Sequence, residues 1–173
     1  MLNIGVIGGS RADSAHLSMA RETGRLLAKR GICVICGGLT GVMEEVARGV
    51  SEADGICIGI LPGYSRREGN SYLRVALPTG MGFARNFLIV RASDSLIAID
   101  GSNGTLSEAS FAIAEGKSVV SLDSHILKRD KKWEGTFIVA SNVEQAVESA
   151  IKEAEKWSEA ENVDYSEAWR NRN

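Results

Sequence analysis

A single doubly wound α/β domain, a parallel sheet with helices on both faces, is the fold this sequence predicts. Three observations predict it. The chain has 173 residues, 44% hydrophobic and 24% charged, enough for one substantial core. Short apolar runs alternate along it with segments of helical spacing, the order that builds parallel strands joined by crossover helices. Its 19 glycines gather directly after the apolar runs, where the strands of such a sheet hand over to helices.

Taken in order, the strand-like runs cover residues 2–7, 32–36, 56–61, 95–99 and 118–122, with a weaker one at 136–139. Strands buried on both faces read as continuous apolar stretches, and Cys33-Val34-Ile35-Cys36 and Ile56-Cys57-Ile58-Gly59-Ile60-Leu61 do so. Helical spacing covers 14–30, 42–53, 83–92, 106–115 and 143–157. Gly31 after Lys29-Arg30 and Gly116 after Glu115 are expected left-handed stops. Residues 62–72, rich in Gly, Ser, Arg and Asn, read as a surface loop over one sheet end, and 123–134 as a second. The domain is expected over 1–157. Residues 158–173 form a polar extension that follows Trp157 and carries Tyr165 and Trp169, either an added helix or a mobile end.

Composition narrows the function. A net charge of −2 offers no basic footprint for nucleic acid. The start lacks a basic segment and a cleavage site, and no apolar run approaches membrane-spanning length, so a cytoplasmic protein with no membrane partner is expected. Cys33 and Cys36 are spaced C-x-x-C, but inside a strand they point to opposite faces, so they and Cys57 are expected as small buried side chains. His16 and His125 are the only histidines, with no Cys/His/Asp cluster in the sequence around either. A metal site and a Ser/His/Asp triad are not expected.

The glycines carry the functional signal. Gly8-Gly9-Ser10 follows the first run, Gly37-Gly38-Leu39-Thr40-Gly41 the second, Gly63 the third, and Gly101-Ser102-Asn103-Gly104-Thr105 the fourth of the chain's longer runs. In an open parallel sheet these ends share one edge, where ligands bind. Glycine lets backbone approach a ligand closely, and the following helix start offers free N–H groups to an anion. Neither G-x-G-x-x-G nor G-x-x-x-x-G-K-[ST] is present. The expected ligand is therefore a mononucleotide or related phosphate rather than a dinucleotide, held by Gly9, Ser10, Gly37, Gly38, Thr40, Gly41 and Gly101 to Thr105.

Glu108 has two readings. Thr105-Leu106-Ser107-Glu108 has the spacing of a capping box, as does Ser141-Asn142-Val143-Glu144 before the last helix. Only the first is joined to a glycine loop, so a carboxylate facing a bound ligand is the other reading.

These residues also carry a family resemblance. Asp100-Gly101-Ser102-Asn103-Gly104-Thr105-Leu106-Ser107-Glu108 resembles the P-G-G-x-G-T-x-x-E motif of the Lonely Guy (LOG) and molybdenum-cofactor-carrier-like proteins, of the Rossmann-like SLOG superfamily. Gly82-Phe83-Ala84-Arg85-Asn86 is similar to the family's M-x-x-R-K, and Gly37 to Met43 to its upstream glycine loop. The order and spacing match over roughly 2–155. Asp100 stands where the family has Pro, Ser102 for the second Gly, Gly82 for Met and Asn86 for Lys; Arg-Asn is closer to the carrier-like branch. The resemblance implies hydrolysis of the N-glycosidic bond of a nucleoside 5′-monophosphate, with Glu108 and Arg85 catalytic and Thr105 and the amides of 102–105 on the 5′-phosphate. Its alternative is a carrier of molybdenum cofactor or a related phosphorylated pterin or nucleotide, without cleavage. No cofactor is required under either, and the old family label of lysine decarboxylase finds no pyridoxal-phosphate lysine here.

Assembly follows from two helices too apolar for one sheet face. Residues 106–115 include Ala109, Phe111, Ala112, Ile113 and Ala114, and 83–92 include Phe87, Leu88, Ile89 and Val90. A homodimer or higher homo-oligomer through these helices is expected, as the resemblance also implies.

Overall fold

The computed structural model describes residues 1–125, 127 and 134–172, with side chains through residue 160. Seven strands form one sheet: β1 (Asn3–Gly8), β2 (Cys33–Cys36), β3 (Ile56–Leu61), β4 (Val75–Pro78), β5 (Ser95–Asp100), β6 (Ser118–Ser124) and β7 (Phe137–Ala140). Their order is β4-β3-β2-β1-β5-β6-β7, and every pairing is parallel. The chain winds outward from β1 to β4, then returns to the other side of β1 and winds outward again, the doubly wound, Rossmann-like arrangement.

Alternation along the central strands divides the core. Ile4, Val6, Val34, Cys36, Cys57, Ile97, Ile99, Val120 and Leu122 face α1 (Ser14–Lys29), α2 (Val42–Glu52) and α5 (Val143–Arg172). Ile7, Cys33, Ile35, Ile60, Leu96, Ala98 and Val119 face α3 (Asn86–Arg91) and α4 (Asn103–Ala114). Cys33 and Cys36 thus lie on opposite faces, and all three cysteines are free and buried.

The structure departs from the sequence reading in several elements. β4 was not anticipated: it is an edge strand whose Val75 and Leu77 stay exposed and which ends at Pro78, so it shows neither a buried run nor clean alternation. The segment 83–92 does not begin as α-helix. It opens as a 3-10 turn over Gly82–Arg85, behind left-handed Gly80 and Gly82, and becomes α-helical only at Asn86. α4 starts at Asn103, three residues before the expected 106. A 3-10 turn over Arg66–Glu68 interrupts the loop 62–72, closed by a capping box between Ser65 and Glu68. Of the loop expected at 123–134, Asp123 and Ser124 extend β6, and residues 126 and 128–133 lie outside the described residues. Beyond Trp157 the backbone continues as helix to Arg172.

His16 has two acidic neighbours, one three residues away and one distant in sequence. Its Nδ1 lies 2.8 Å from Asp13 Oδ1 and its Nε2 3.1 Å from Asp123 Oδ2, a partner 107 residues away. Among the described residues, no group of three or more His, Cys, Asp or Glu is placed to hold a metal, and no helix is long and apolar enough to cross a membrane.

Two mid-helix glycines set how closely α1 and α2 pack. A Cβ on Gly24 would stand 2.2 Å from the Val46 carbonyl oxygen, and one on Gly49 1.9 Å from that of Arg21. Alanine is the better helix former by about 1 kcal/mol, but here it would wedge two backbones apart. Gly49→Ala is expected to lower stability by about 2–3 kcal/mol. Gly31→Ala, where a Cβ meets nothing and only the positive φ of 71° is strained, should lose about 1 kcal/mol. Urea midpoints of the two variants check the ordering.

Candidate functional site

β2, β1 and β5 are neighbours in the sheet, so the loops that follow them meet at one edge. The winding reverses between β1 and β5, and a crevice opens there because no crossover bridges it. The loops are tied together by main-chain contacts. The Val42 N–H donates to the Gly9 carbonyl at 3.0 Å, and Thr40 Oγ1 to the Ser10 carbonyl at 3.2 Å. Gly41, at φ 69°, has no room for a side chain: a Cβ would lie 2.4 Å from the Gly9 oxygen. Gly9, Ser10, Thr40 and Gly41 therefore brace one another. Gly38 accepts from the Asn70 N–H at 2.9 Å, and Gly37 makes way for the Arg85 guanidinium, whose Nη2 donates to its carbonyl at 3.4 Å.

The loop after β5 differs. Asp100 and Gly101 both have positive φ, and the pairing of β5 with β6 slips between Ile99 and Asp100. Asp100 Oδ2 would touch a Cβ on Gly9 at 2.6 Å, so its carboxylate sits across the crevice mouth. Ser102 is the cap position of α4 but makes no side-chain bond to it, and the first turn carries no acid. α1 and α5, by contrast, are capped by Asp13 and Asn142. Asn103, Gly104 and Thr105 therefore open α4 with N–H groups that no side chain caps, at its positive end. Thr105 itself is buried against Gly101. Gly104 has no positive φ, and a Cβ there would meet only Asn86 Nδ2, at 3.7 Å. Among the described residues nothing requires glycine at that position, and the space in front of it is open.

The capping box expected at Thr105 to Glu108 does not form. With α4 beginning at Asn103, Thr105 is already inside the first turn and Glu108 lies in the helix body, 5% exposed. The second box is displaced by one residue: Asn142 accepts the Gln145 N–H at 2.8 Å, and Gln145 Oε1 accepts the Ser141 N–H at 2.8 Å, leaving Glu144 out.

Glu108 faces Arg85, with Oε1 3.7 Å from Nη1. Burial pushes the Glu108 carboxyl up to about 7, against the pull of the guanidinium. Burial also lowers Arg85 from its ordinary value, although Glu108 and Cys36 oppose the shift. Both members thus lean toward neutrality, because desolvation outweighs their attraction at that distance. Arg85 Nε has no partner among the described residues.

Sequence reasoning missed Asn86 at the site and, at the opposite end of the sheet, a buried lysine. Asn86, noted only as a departure from a motif, is 7% exposed and accepts from Arg85 Nη1. Lys117 is buried, donates to the carbonyls of Val90 and Arg91 at 2.8 and 3.2 Å, and lies over the Trp157 ring, fixing the end of α3. A Lys that directly follows a helix stop, as Lys117 follows Gly116, is the one local signal that could have pointed to it.

The model of the SLOG cluster4 family matches residues 1–147. An uncharacterised protein of Archaeoglobus fulgidus is 41% identical over 124 residues, which are 70% of this chain and 80% of that protein. The molybdenum cofactor binding protein of Rippkaea orientalis superposes with a TM-score of 0.79 at 33% identity, over 87% of this chain and 95% of that one. The molybdenum cofactor carrier protein of Chlamydomonas reinhardtii does so with 0.78 at 30%, over 88% and 98%. With most of its length matched at these identities and the same sheet beneath, the chain belongs to the SLOG cluster4 family.

Proposed function

We propose that this chain binds a phosphorylated nucleotide-like or pterin ligand at the β1/β5 crevice and carries it without cleavage, molybdenum cofactor being the cargo that its relatives' names point to. The observation that carries this reading is the uncapped start of α4 with open space before Gly104. A phosphate fits there because it accepts the Asn103 to Thr105 N–H groups and adds no side-chain clash. Arg85 supplies the positive charge beside it. Glu108, buried and titrating near neutrality, is suited to sit protonated beside an anion. Replacing Gly104 by Val puts a branched side chain into the proposed phosphate position. The folded variant is expected to bind AMP and inorganic phosphate at least tenfold more weakly by calorimetry; unchanged affinity for both sinks the site.

Nucleoside monophosphate hydrolysis is the second reading, favoured by the buried Arg85–Glu108 pair and the LOG-like motif around it. Leaving of the base builds positive charge on the sugar, which an ionised Glu108 would stabilise or whose attacking water it would orient. Only the deprotonated form does this, so base release should rise with pH through about 7 and then level off. Glu108→Gln should reduce it by about 10²–10³ while nucleotide binding persists. Wild-type protein that binds AMP and releases no base on prolonged incubation leaves the carrier reading standing.

The chain is also proposed to assemble as a homodimer or a higher homo-oligomer. Among the described residues one sheet face has three helices and the other has α3 and α4, and Ile56, Val75, Leu77, Phe83 and Phe111 remain exposed there or beside it. Phe83 is 90% exposed on the turn that carries Arg85. A second copy laid on α3 and α4 would cover this surface. Light scattering at micromolar concentration is expected to give at least twice the 18.5 kDa chain mass, and Phe83→Lys with Phe111→Lys to lower it; a monomeric wild type excludes the assembly.

A further inference from the structure

Two acceptors, a neutral amide and a carboxyl group, stand beside the same arginine nitrogen at the floor of the crevice. Arg85 Nη1 donates to Asn86 Oδ1, while Glu108 Oε1 stands 3.7 Å from the same nitrogen, beyond hydrogen-bond reach. Nη2 is turned to the Gly37 carbonyl, and Nε has no partner among the described residues. An arginine and a carboxylate left to themselves close into paired contacts of about 2.7–2.9 Å. Here a neutral amide on the adjoining residue holds that position. Asn86 is itself buried, and its remaining polar atom, Nδ2, is the nearest atom to the space in front of Gly104.

We propose that Asn86 is a positioning residue: by taking the Arg85 Nη1 hydrogen bond on Oδ1 it keeps the guanidinium from closing on Glu108, and its Nδ2 adds an uncharged donor to the Gly104 cradle. This deepens the anion-site reading and, for the cradle, rests on it. Glu108 is then left with charge attraction alone to offset its burial. Its other titratable neighbour is the Cys36 thiol from β2, itself hydrogen-bonded to Cys57 and the Met43 carbonyl. A carboxyl in this position changes charge across neutral pH, so the crevice floor passes from one net positive charge to none as pH rises. Anion binding is coupled to that proton.

Titration of Glu108 in the unliganded full chain, followed by NMR of ¹³C-carboxyl glutamate, tests the proposal whether or not any ligand binds. The wild-type midpoint is expected at about 7. Asn86→Leu removes the competing acceptor without adding charge, so Arg85 turns to Glu108 and the midpoint falls by about 1 pH unit or more. Asn86→Asp keeps the shape but adds a second carboxylate, so the midpoint rises. A merely structural role would move thermal stability and leave the midpoint alone, or move it the same way in both. Either result overturns the proposal; if Asn86→Leu does not fold, the same fall is required of Asn86→Ser. Sulfate, whose charge is constant over this range, tests the coupling. Its affinity should be roughly fivefold to tenfold higher at pH 6 than at pH 8 in wild type, and flat in Glu108→Gln. Sulfate that binds equally at both pH values overturns the coupling. Sulfate that fails to bind at all overturns the anion site, and the titration of Glu108 then decides the positioning role by itself.

Discussion

The reversal of winding between β1 and β5 is the constraint from which the rest of the molecule follows. Parallel strands are joined by crossovers that return over a face of the sheet. Among the described residues, α1, α2 and the 62–74 loop join the strands on one side of β1, α4 joins β5 to β6 on the other, and the segment with α3 passes from β4 back to β5. Among the described residues, no connection joins the end of β1 to β5 directly. The loops after β2, β1 and β5 are pressed toward that gap, and their glycines are what let three backbones meet there. Gly41 against Gly9, and Gly37 against Arg85, are steric necessities of this convergence. Gly104 is not: among the described residues a Cβ there would meet only Asn86 Nδ2, at 3.7 Å.

The division of helices between the faces follows from the same topology. α1 and α2 pack over the β1–β3 half at backbone contact through Gly24 and Gly49, and α5 returns over β5 and β6. Among the described residues the opposite face receives a six-residue and a twelve-residue helix. α3 is short because its chain is first spent on the 3-10 turn that lowers Arg85 into the crevice. The apolar residues it leaves uncovered are therefore a consequence of how the site is built, and site and exposed surface adjoin along one stretch of chain, Gly82 to Arg91.

Much of this was legible in the sequence. Six of the seven strands lie within two residues of the apolar runs, the weaker run at 136–139 included, and the five helices begin within three residues of their expected starts, because buried parallel strands leave an unmistakable continuous pattern. The glycine loops were legible as a group since they recur after successive strands. What was not legible arises from contacts distant in sequence. Glu108 has the spacing of a cap, and only the earlier start of α4, through a glycine that weakens any helix prediction, shows that it is buried instead. Asn86 looks like an ordinary helix start; its burial under Arg85 depends on Gly37, 48 residues from that arginine. His16 meets Asp123 only because α1 and β6 share an edge. β4 escaped notice because edge position frees it from the pattern that betrays the others.

The Arg85–Glu108 pair is poorly explained as a stabilising feature. At 3.7 Å, with an effective dielectric constant near 20, two unit charges attract by about 4 kcal/mol. Removing each from water costs several kcal/mol, and the geometry lacks the paired hydrogen bonds that would offset the loss. The shifts of both groups toward neutrality report the same balance from the opposite direction. A chain selected for stability alone would do as well with apolar side chains of similar volume. The pair has a physical reason once an anion lies at the start of α4. The arginine then gains a second counter-charge, the proton on Glu108 is held more firmly, and the energy stored in burying them is returned as affinity. The positive φ of Asp100 and the side-chain-uncapped start of α4 lie at the same edge as this pair.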